Sequence, residues 1–229
     1  MSDLRHNNIL VASVWTWKAF CLSMVALAVL LVGVGMAVDF SRLEQQMAAR
    51  YGVNRVKTLR NWQSMLYQAQ SLSEIEKVQR VNGFFNQHIH YQTDIKIWGK
   101  SDYWATPLET MGLGRGDCED YSVAKYYSLQ ILGIPVSKLR MVYVKISQGQ
   151  LLQAHMVVAY YSSPNATPMI LDNFNGRLLP ASQRPDLYPI YNFNTQGVWQ
   201  GTGRQAVKGK MSRWQNLLAR ARAEGFEKF

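Results

Sequence analysis

The stretch GRGDCEDYSVAKYYSLQILG, residues 114–133, decides how this chain folds. Its glycines permit the tight backbone that leads into a helix, and Gly133 followed by Pro135 ends that helix. The pattern predicts a helix over residues 119–132, with Cys118 at or just before its first turn. The N-terminal end of a helix carries roughly half a positive charge, which stabilises a thiolate and lowers the pKa of a cysteine there. The stretch therefore indicates a candidate nucleophile at the start of a helix.

Helical patterns precede this stretch and strand patterns follow it. Apolar residues recur at helical spacing over residues 41–92, and Gly52 and the polar residues near Ser71 divide this region into two or three helices. Residues 93–116 hold several glycines and favour a long loop with short helical turns. Three segments rich in β-branched and aromatic residues come last: 139–146, 151–161 and 168–172. Helices followed by an antiparallel sheet predict an α+β fold.

One histidine and one of two carboxylates could complete a catalytic site with Cys118. His155 is the only histidine after the cysteine, and it lies inside a predicted strand. An imidazole can activate a thiol, and a third group must orient the ring and fix its tautomer. Asp172 and Asp186 are the only carboxylates between His155 and the basic C-terminal region. Asp172 ends a predicted strand that pairing could bring beside His155, so we choose it over Asp186.

Three acidic residues surround the cysteine: Asp117, Glu119 and Asp120. Their negative charge opposes a thiolate unless something offsets it. One offset is a bound Ca²⁺, which takes carboxylate and carbonyl oxygens as ligands and tolerates irregular geometry. The other interpretation is helix capping, because acids in the first turn stabilise the helix dipole without a metal. The spacing is not that of an EF-hand, and the residues alone leave calcium and capping both open.

The N-terminal region indicates export across a membrane. Residues 19–38 carry no charge and are numerous enough to cross a hydrocarbon core of about 30 Å. Basic residues precede this segment and an acidic residue follows it, which places the N-terminus in the cytoplasm. We predict that residues 1–38 are either a signal peptide cleaved after Ala37 or a retained inner-membrane anchor. Either topology places residues 39–229 in the periplasm of a bacterial cell.

Composition excludes several classes of protein. The 229 residues include 25 Lys and Arg against 15 Asp and Glu. Hydrophobic residues make up 48% of the chain, and this fraction excludes a wholly disordered protein. Only two cysteines are present, which excludes a disulfide scaffold. Cys21 lies in the apolar segment, so Cys118 is a lone thiol in the exported part. No zinc-finger, basic-zipper or RNP pattern accompanies the net charge of +10, so we predict no nucleic-acid partner.

Residues 201–229 form a basic C-terminal tail. Residues 212–224 within it predict a basic helix. This pattern is compatible with a solvated surface helix, with a frayed end, or with a contact to an anionic lipid or a partner.

Several segments of the chain resemble the bacterial transglutaminase-like cysteine proteinases. The resemblance is strong over residues 95–200 and looser over residues 45–92. It is carried by YWATPLETMGLGRGDCED, GDCEDYSVAKYYSL, AHMVVAYY, LDNFN and LPASQRPDLYPIYNFNTQGVW.

This resemblance implies a papain-like, transglutaminase-like domain over residues 39–200. That domain would have an N-terminal helical lobe at about 41–92, a catalytic core at about 93–200 and an antiparallel β-sheet lobe. The implied catalytic triad is Cys118, His155 and Asp172. The resemblance also implies calcium dependence, with three metal ligands: Asp117, Glu119 and, less securely matched, Asp120.

The implied function is that of a calcium-dependent periplasmic cysteine endopeptidase. Its substrate would be the N-terminal region of a large, LapA-like surface adhesin, cut at a di-alanine site so that the biofilm disperses. Its inhibitor would be a LapD-like inner-membrane receptor for cyclic di-GMP, which sequesters the protease. Acyl transfer, as by a transglutaminase or an N-acyltransferase, remains an alternative because both reactions begin with the same thioester. A binding module that keeps the fold is disfavoured by the intact triad.

Overall fold

The computed structural model of the chain describes residues 38–203 and 211–226. The predicted signal or anchor segment lies outside these residues, apart from Val38. Within the described part, no helix combines the length and the apolar character needed to cross a membrane. The helices are α1 (Phe40–Tyr51), α2 (Val53–Ala69), α3 (Glu74–His88), α4 (Asp94–Trp98), α5 (Pro107–Leu113), α6 (Cys118–Ile131) and α7 (Ser212–Glu224). The strands are β1 (His90–Tyr91), β2 (Arg115–Gly116), β3 (Leu139–Gln148), β4 (Leu151–Tyr160), β5 (Met169–Leu171), β6 (Leu179–Pro180), β7 (Leu187–Asn194) and β8 (Gly197–Gln200).

The helical lobe consists of α1, α2 and α3, as the sequence pattern predicts. Gly52 separates α1 from α2 and has a φ of 86°, which a side chain rarely tolerates. Helix α3 begins with a capping box in which the Glu76 carboxylate accepts from the Ser73 backbone N–H at 2.9 Å. Its apolar stripe, which includes Val81 and Phe85, is buried against α6 and the rest of the core. Burial of this stripe joins the helical lobe to the centre of the protein.

Two short helices, α4 and α5, occupy the glycine-rich region before the cysteine. Helix α5 begins with a capping box between Thr106 and Glu109 and ends at Gly114, which has a φ of 65°. Helix α6 begins at Cys118, one residue earlier than the predicted range of 119–132. The predicted position of the cysteine in the first turn is therefore confirmed.

The six-stranded sheet is antiparallel throughout, with the order β6-β5-β4-β3-β7-β8. Strand β4 pairs with β3 along its whole length, but it pairs with β5 only at Val158, Ala159 and Tyr160. The preceding part of that edge faces α6 instead, and the Ser122 hydroxyl donates to the Met156 carbonyl at 3.1 Å. The start of α6 therefore lies against the strand that carries His155.

Helix α6 is almost entirely buried between the helical lobe and the sheet. It contacts α3 and α5 on one side and β3 and β4 on the other. From α2, the Trp62 ring nitrogen donates to the Ser128 hydroxyl at 2.8 Å, and both side chains are buried. The helix thus has no solvated face along most of its length, which fixes the position of Cys118 at its N-terminus.

The C-terminal helix α7 packs into the same core. Its Trp214 ring lies 5.6 Å from the ring of Tyr126 and 5.4 Å from that of Phe193, centroid to centroid. Arg220 donates to the buried Glu109 at 2.6 Å. The described residues, 38–203 and 211–226, belong to one compact unit. Residues 212–224 of the basic tail are therefore an integral helix with one buried face, rather than a solvated or frayed appendage.

We predict that Trp214→Ala lowers the free energy of unfolding by about 3–5 kcal/mol, because it leaves a cavity among packed aromatic rings. Gln215→Ala, at the exposed neighbouring position, is the matched control and should change that free energy by less than about 0.5 kcal/mol. Urea denaturation of a protein comprising residues 36–229 measures both. Equal, small effects of the two substitutions would show that α7 does not contribute to the core.

Candidate active site

The thiol of Cys118 lies half-buried in the first turn of α6. The preceding turn is tight, since a Cβ on Gly116 would approach the Asp120 Cβ to 2.7 Å. The thiol donates to the Glu119 carboxylate, with Sγ and Oε2 2.8 Å apart. Burial raises the pKa of Cys118 well above its usual value, and the charges of Glu119 and Asp117 raise it further. Burial and the flanking acids thus raise the pKa, whereas the helix terminus on its own predicts a lowered pKa.

His155 and Asp172 form a buried pair on neighbouring strands. His155 lies in β4, and Asp172 directly follows β5, which pairs with β4 through Leu171 and Val158. The His155 Nε2 and the Asp172 Oδ1 are 2.7 Å apart. This contact leaves Nδ1 as the ring nitrogen available to a thiol. The structure therefore places the predicted carboxylate beside the predicted histidine.

Arg184 holds the other oxygen of Asp172. Its Nη2 donates to the Asp172 Oδ2 at 2.7 Å and also to Asp186, and its side chain is buried. Burial alone would raise the pKa of Asp172, but hydrogen bonds from His155, the Phe174 backbone N–H and Arg184 lower it well below its usual range. Asp186 binds Arg184 rather than the imidazole. Nothing in the sequence pattern indicated Arg184, because the loop residues around it have no periodicity.

Met156 connects the cysteine to the histidine strand. Its carbonyl accepts from Ser122 of α6. Its backbone N–H interacts with Cys118 and lowers the pKa of the thiol, against the larger effects of burial and the acids. Both backbone groups of Met156 therefore face the first two turns of α6. Since Met156 follows His155 directly, this contact brings the thiol to the strand position that carries the imidazole.

Five acidic residues form a cluster beside the cysteine. Carboxylate oxygens of Asp94, Asp117 and Asp120 lie within 4.8 Å of one another, as do those of Asp94, Asp102 and Glu119. Asp117, Glu119 and Asp120 are the predicted ligands. Asp94 at the start of α4 and Asp102 join them only through the fold, and no sequence pattern indicated either residue.

Part of this cluster also serves the local backbone. The two oxygens of Asp120 accept from the backbone N–H groups of Ala105, at 2.7 Å, and Asp117, at 3.3 Å. The second bond is half of a capping box at the start of α6. The sequence left both helix capping and calcium binding open, and the structure shows the capping bond. It does not account for the buried oxygens Asp94 Oδ1 and Asp117 Oδ1, which have no hydrogen-bond partner among the described residues.

The electrostatics of the cluster favour a cation. Burial and repulsion between the carboxylates raise the pKa of Asp117 to about 10 and that of Asp94 to about 6. They also raise the pKa of Asp120 well above its usual value. Arg213 pairs with Asp102 at 3.0 Å; within residues 38–203 and 211–226, the other four acids form no ion pair. Several hard oxygen donors around uncompensated charge are the ligand set that Ca²⁺ prefers, so the residues fit this ion.

Comparison with solved structures finds LapG from Legionella pneumophila. Its calcium-bound form is 34% identical to this chain, with a TM-score of 0.69, and the match covers 80% of this chain and 99% of LapG. Its EGTA-treated form is 33% identical, with a TM-score of 0.70 and coverage of 81% and 99%. Among curated proteins, no sequence matches the chain.

The family model of the bacterial transglutaminase-like cysteine proteinases, BTLCP, matches residues 53–202. This range includes the helical lobe from α2 onward, the cysteine, the histidine–aspartate pair and the whole sheet. Taken with the LapG alignments, it shows that the chain belongs to the bacterial transglutaminase-like cysteine proteinases.

Proposed function

We propose that Cys118, His155 and Asp172 are the catalytic triad of this cysteine proteinase. The observation that carries the proposal is the distance of 2.7 Å between His155 Nε2 and Asp172 Oδ1. Met156, which follows His155 on β4, contacts Cys118. Asp172 fixes the tautomer with the proton on Nε2, so Nδ1 accepts the thiol proton. Arg184 keeps Asp172 ionised and oriented.

The reaction proceeds in two halves. His155 takes the proton from Cys118, and the thiolate attacks the carbonyl carbon of the scissile peptide bond. The imidazolium then gives its proton to the departing amine, which leaves a thioester on Cys118. In the second half His155 removes a proton from water, the resulting hydroxide attacks the thioester, and the acid is released with the thiol restored.

We propose that Ca²⁺ binds the acidic cluster through Asp117 and Glu119, with Asp120, Asp94 and Asp102 as further oxygen donors. The unpartnered buried oxygens support this assignment, as does the calcium-bound form of LapG. When bound, the ion supplies positive charge beside an otherwise uncompensated group of acids. Among these five acids, Glu119 is the one whose carboxylate contacts the Cys118 thiol, so its charge acts most directly on the nucleophile.

We infer the biological setting from the relationship to LapG. The proposed substrate is the N-terminal region of a large, LapA-like adhesin, cut at a di-alanine site in the periplasm, with release of the adhesin and dispersal of the biofilm. The proposed inhibitor is a LapD-like receptor for cyclic di-GMP in the inner membrane, where residues 19–38 could also attach the protease. Identity of 34% across nearly all of LapG supports this assignment.

We expect residues 36–229 to cut the N-terminal portion of a co-encoded giant adhesin in calcium and not in EGTA. Cys118→Ala should lower the rate by about 10⁴-fold or more, because it removes the nucleophile. Gel electrophoresis of the products measures cleavage, and a labelled amine in the same reaction measures acyl transfer. Cleavage near the wild-type rate by Cys118→Ala would refute the proposed nucleophile. Label incorporation in place of cleavage would favour the transferase alternative.

Asp172→Asn should lower kcat by about 10³–10⁴-fold, as expected when the histidine takes the wrong tautomer. Arg184 donates to residue 172, so the single amide oxygen turns toward Arg184 and the amide NH₂ toward His155 Nε2. The ring proton then moves to Nδ1, which can no longer accept from the thiol. Asp186→Asn retains an oxygen for Arg184 and is the matched control, with less than about a tenfold loss. Steady-state kinetics measure kcat for both variants. A larger loss of kcat in Asp186→Asn than in Asp172→Asn would contradict the assignment of Asp172 to the triad.

Calcium should stabilise the protein by mass action, by about 2.7 kcal/mol at 100 times Kd. For a domain of this size, the Tm of residues 36–229 should rise by about 5–10 °C. The double variant Asp117→Asn/Glu119→Gln should lose both this increment and the calcium-dependent activity. Glu44→Gln, which removes a surface charge paired with Arg60, is the control and should keep both. A Tm and an activity that do not respond to EGTA would leave the acidic cluster with only its capping role.

A further inference from the structure

Lys125 is a buried charge that the proposed reaction does not use. It lies in α6, two turns after Cys118, and its side chain is fully buried. Its Nζ donates to the Asn86 Oδ1 at 2.7 Å and lies 5.5 Å from the centroid of the Tyr121 ring. Burying an ammonium group costs several kcal/mol, and a single amide oxygen and a ring face are a small compensation. Because it is inaccessible, Lys125 cannot touch a substrate.

The partner of Lys125 contacts the residue that orients the catalytic histidine. Asn86 lies in α3, and its Nδ2 donates to the backbone carbonyl of Asp172 at 2.8 Å. The amide oxygen of Asn86 is held by Lys125, so its NH₂ group must face the Asp172 carbonyl. The ammonium therefore fixes the orientation of an amide that could otherwise turn over. Burial lowers the pKa of Lys125 to about 7, although the charge of Asp172 opposes part of that shift by favouring the protonated form.

We propose that Lys125 and Asn86 are positioning residues that hold the backbone of Asp172, so that its carboxylate meets His155 at hydrogen-bonding distance. This inference rests on the proposed triad. Arg184 and His155 hold the side chain of Asp172, and the Lys125–Asn86 pair holds its main chain from the opposite lobe. Displacement of a reacting group by about 1 Å can cost 10²-fold in rate, so a main-chain support at this residue has a measurable effect on kcat.

Asn82 provides an internal comparison. It lies one turn before Asn86 on α3, is buried, and donates through its Nδ2 to the Gly176 carbonyl at 3.0 Å. Both amides therefore hold the loop that follows β5. Only Asn86 contacts Asp172, and only Asn86 is bound by Lys125. A general loosening of the loop would affect the two positions alike, whereas the proposed role distinguishes them.

The test measures kcat, KM and the free energy of unfolding for three variants in calcium, on the adhesin N-terminal fragment. Lys125→Met removes the charge but keeps the length of the side chain. Asn86→Asp keeps an acceptor for Lys125 and removes the donor to Asp172. Asn82→Asp is the matched control. We expect Lys125→Met and Asn86→Asp to lower kcat by about 10–100-fold with KM unchanged, and Asn82→Asp to stay within about threefold.

Stability separates positioning from a structural role. Replacing a buried charge by an apolar side chain of similar size is often neutral or stabilising, so Lys125→Met should lose kcat without losing stability. The double variant Lys125→Met/Asn86→Asp should be no slower than the slower single variant, because both substitutions break the same chain of contacts. Additive losses, or a kcat loss only in proportion to lost stability, would overturn the inference. If Lys125→Met does not fold, the comparison of kcat between Asn86→Asp and Asn82→Asp tests the positioning role without it.

Cys118→Ala is assayed beside these variants. Wild-type kcat in Lys125→Met and Asn86→Asp, with Cys118→Ala inactive, would overturn the positioning role and leave the triad standing. Activity in Cys118→Ala would instead overturn the proposed function itself.

Discussion

Strand β5 pairs with β4 over only three residues, Val158 to Tyr160, and the geometry of the active site depends on this short pairing. A longer β5 would use the backbone groups of Met156 for the sheet. Because that edge is free of a strand, the Met156 carbonyl accepts from Ser122 and its N–H reaches Cys118. The N-terminus of α6 thus takes the place of a strand beside the histidine. Burial of α6 on its other sides then keeps the thiol at this edge.

The negative charge of Asp172 is compensated by neighbouring side chains, whereas that of the acids beside Cys118 is not, within the described part of the chain. Asp172 is buried but fully compensated, with His155 on one oxygen and Arg184 on the other. The acids beside Cys118 are partly buried without comparable compensation, and burial and mutual repulsion raise the pKa of Asp117 to about 10. A buried carboxylate that lacks a cation is costly. The protein therefore supplies its own cation for the carboxylate that we propose orients the ring, whereas we propose that an ion from solution compensates the other acids.

The sequence was most informative where the contacts are local. The glycine turn, Cys118 and the flanking acids are neighbours along the chain, and the position of Asp172 at the end of a predicted strand was enough to place it beside His155. The sequence pattern could not indicate Arg184, Asp94 or Asn86. Loop closure and helix packing bring these residues to the site, and neither leaves a periodic pattern in the sequence. The C-terminal helix is a different case. Its buried side chains recur at helical spacing (Trp214, Leu217, Leu218 and Ala221). That signal was available, but the three arginines of the helix favoured the prediction of a charged surface helix instead.

Helix α6 links these features, because groups along its length face different parts of the site. Its N-terminal end carries the thiol and three of the five acids proposed to bind calcium: Asp117, Glu119 and Asp120. Its second turn holds Met156 through Ser122, and Lys125 follows with its contact to Asn86. A shift of α6 along its axis would move the thiol relative to the imidazole and, through Asn86, disturb the support of Asp172. Cys118 lies on α6 and Asp172 follows β5 of the sheet, so their alignment depends on the packing of this one helix between the helical lobe and the sheet.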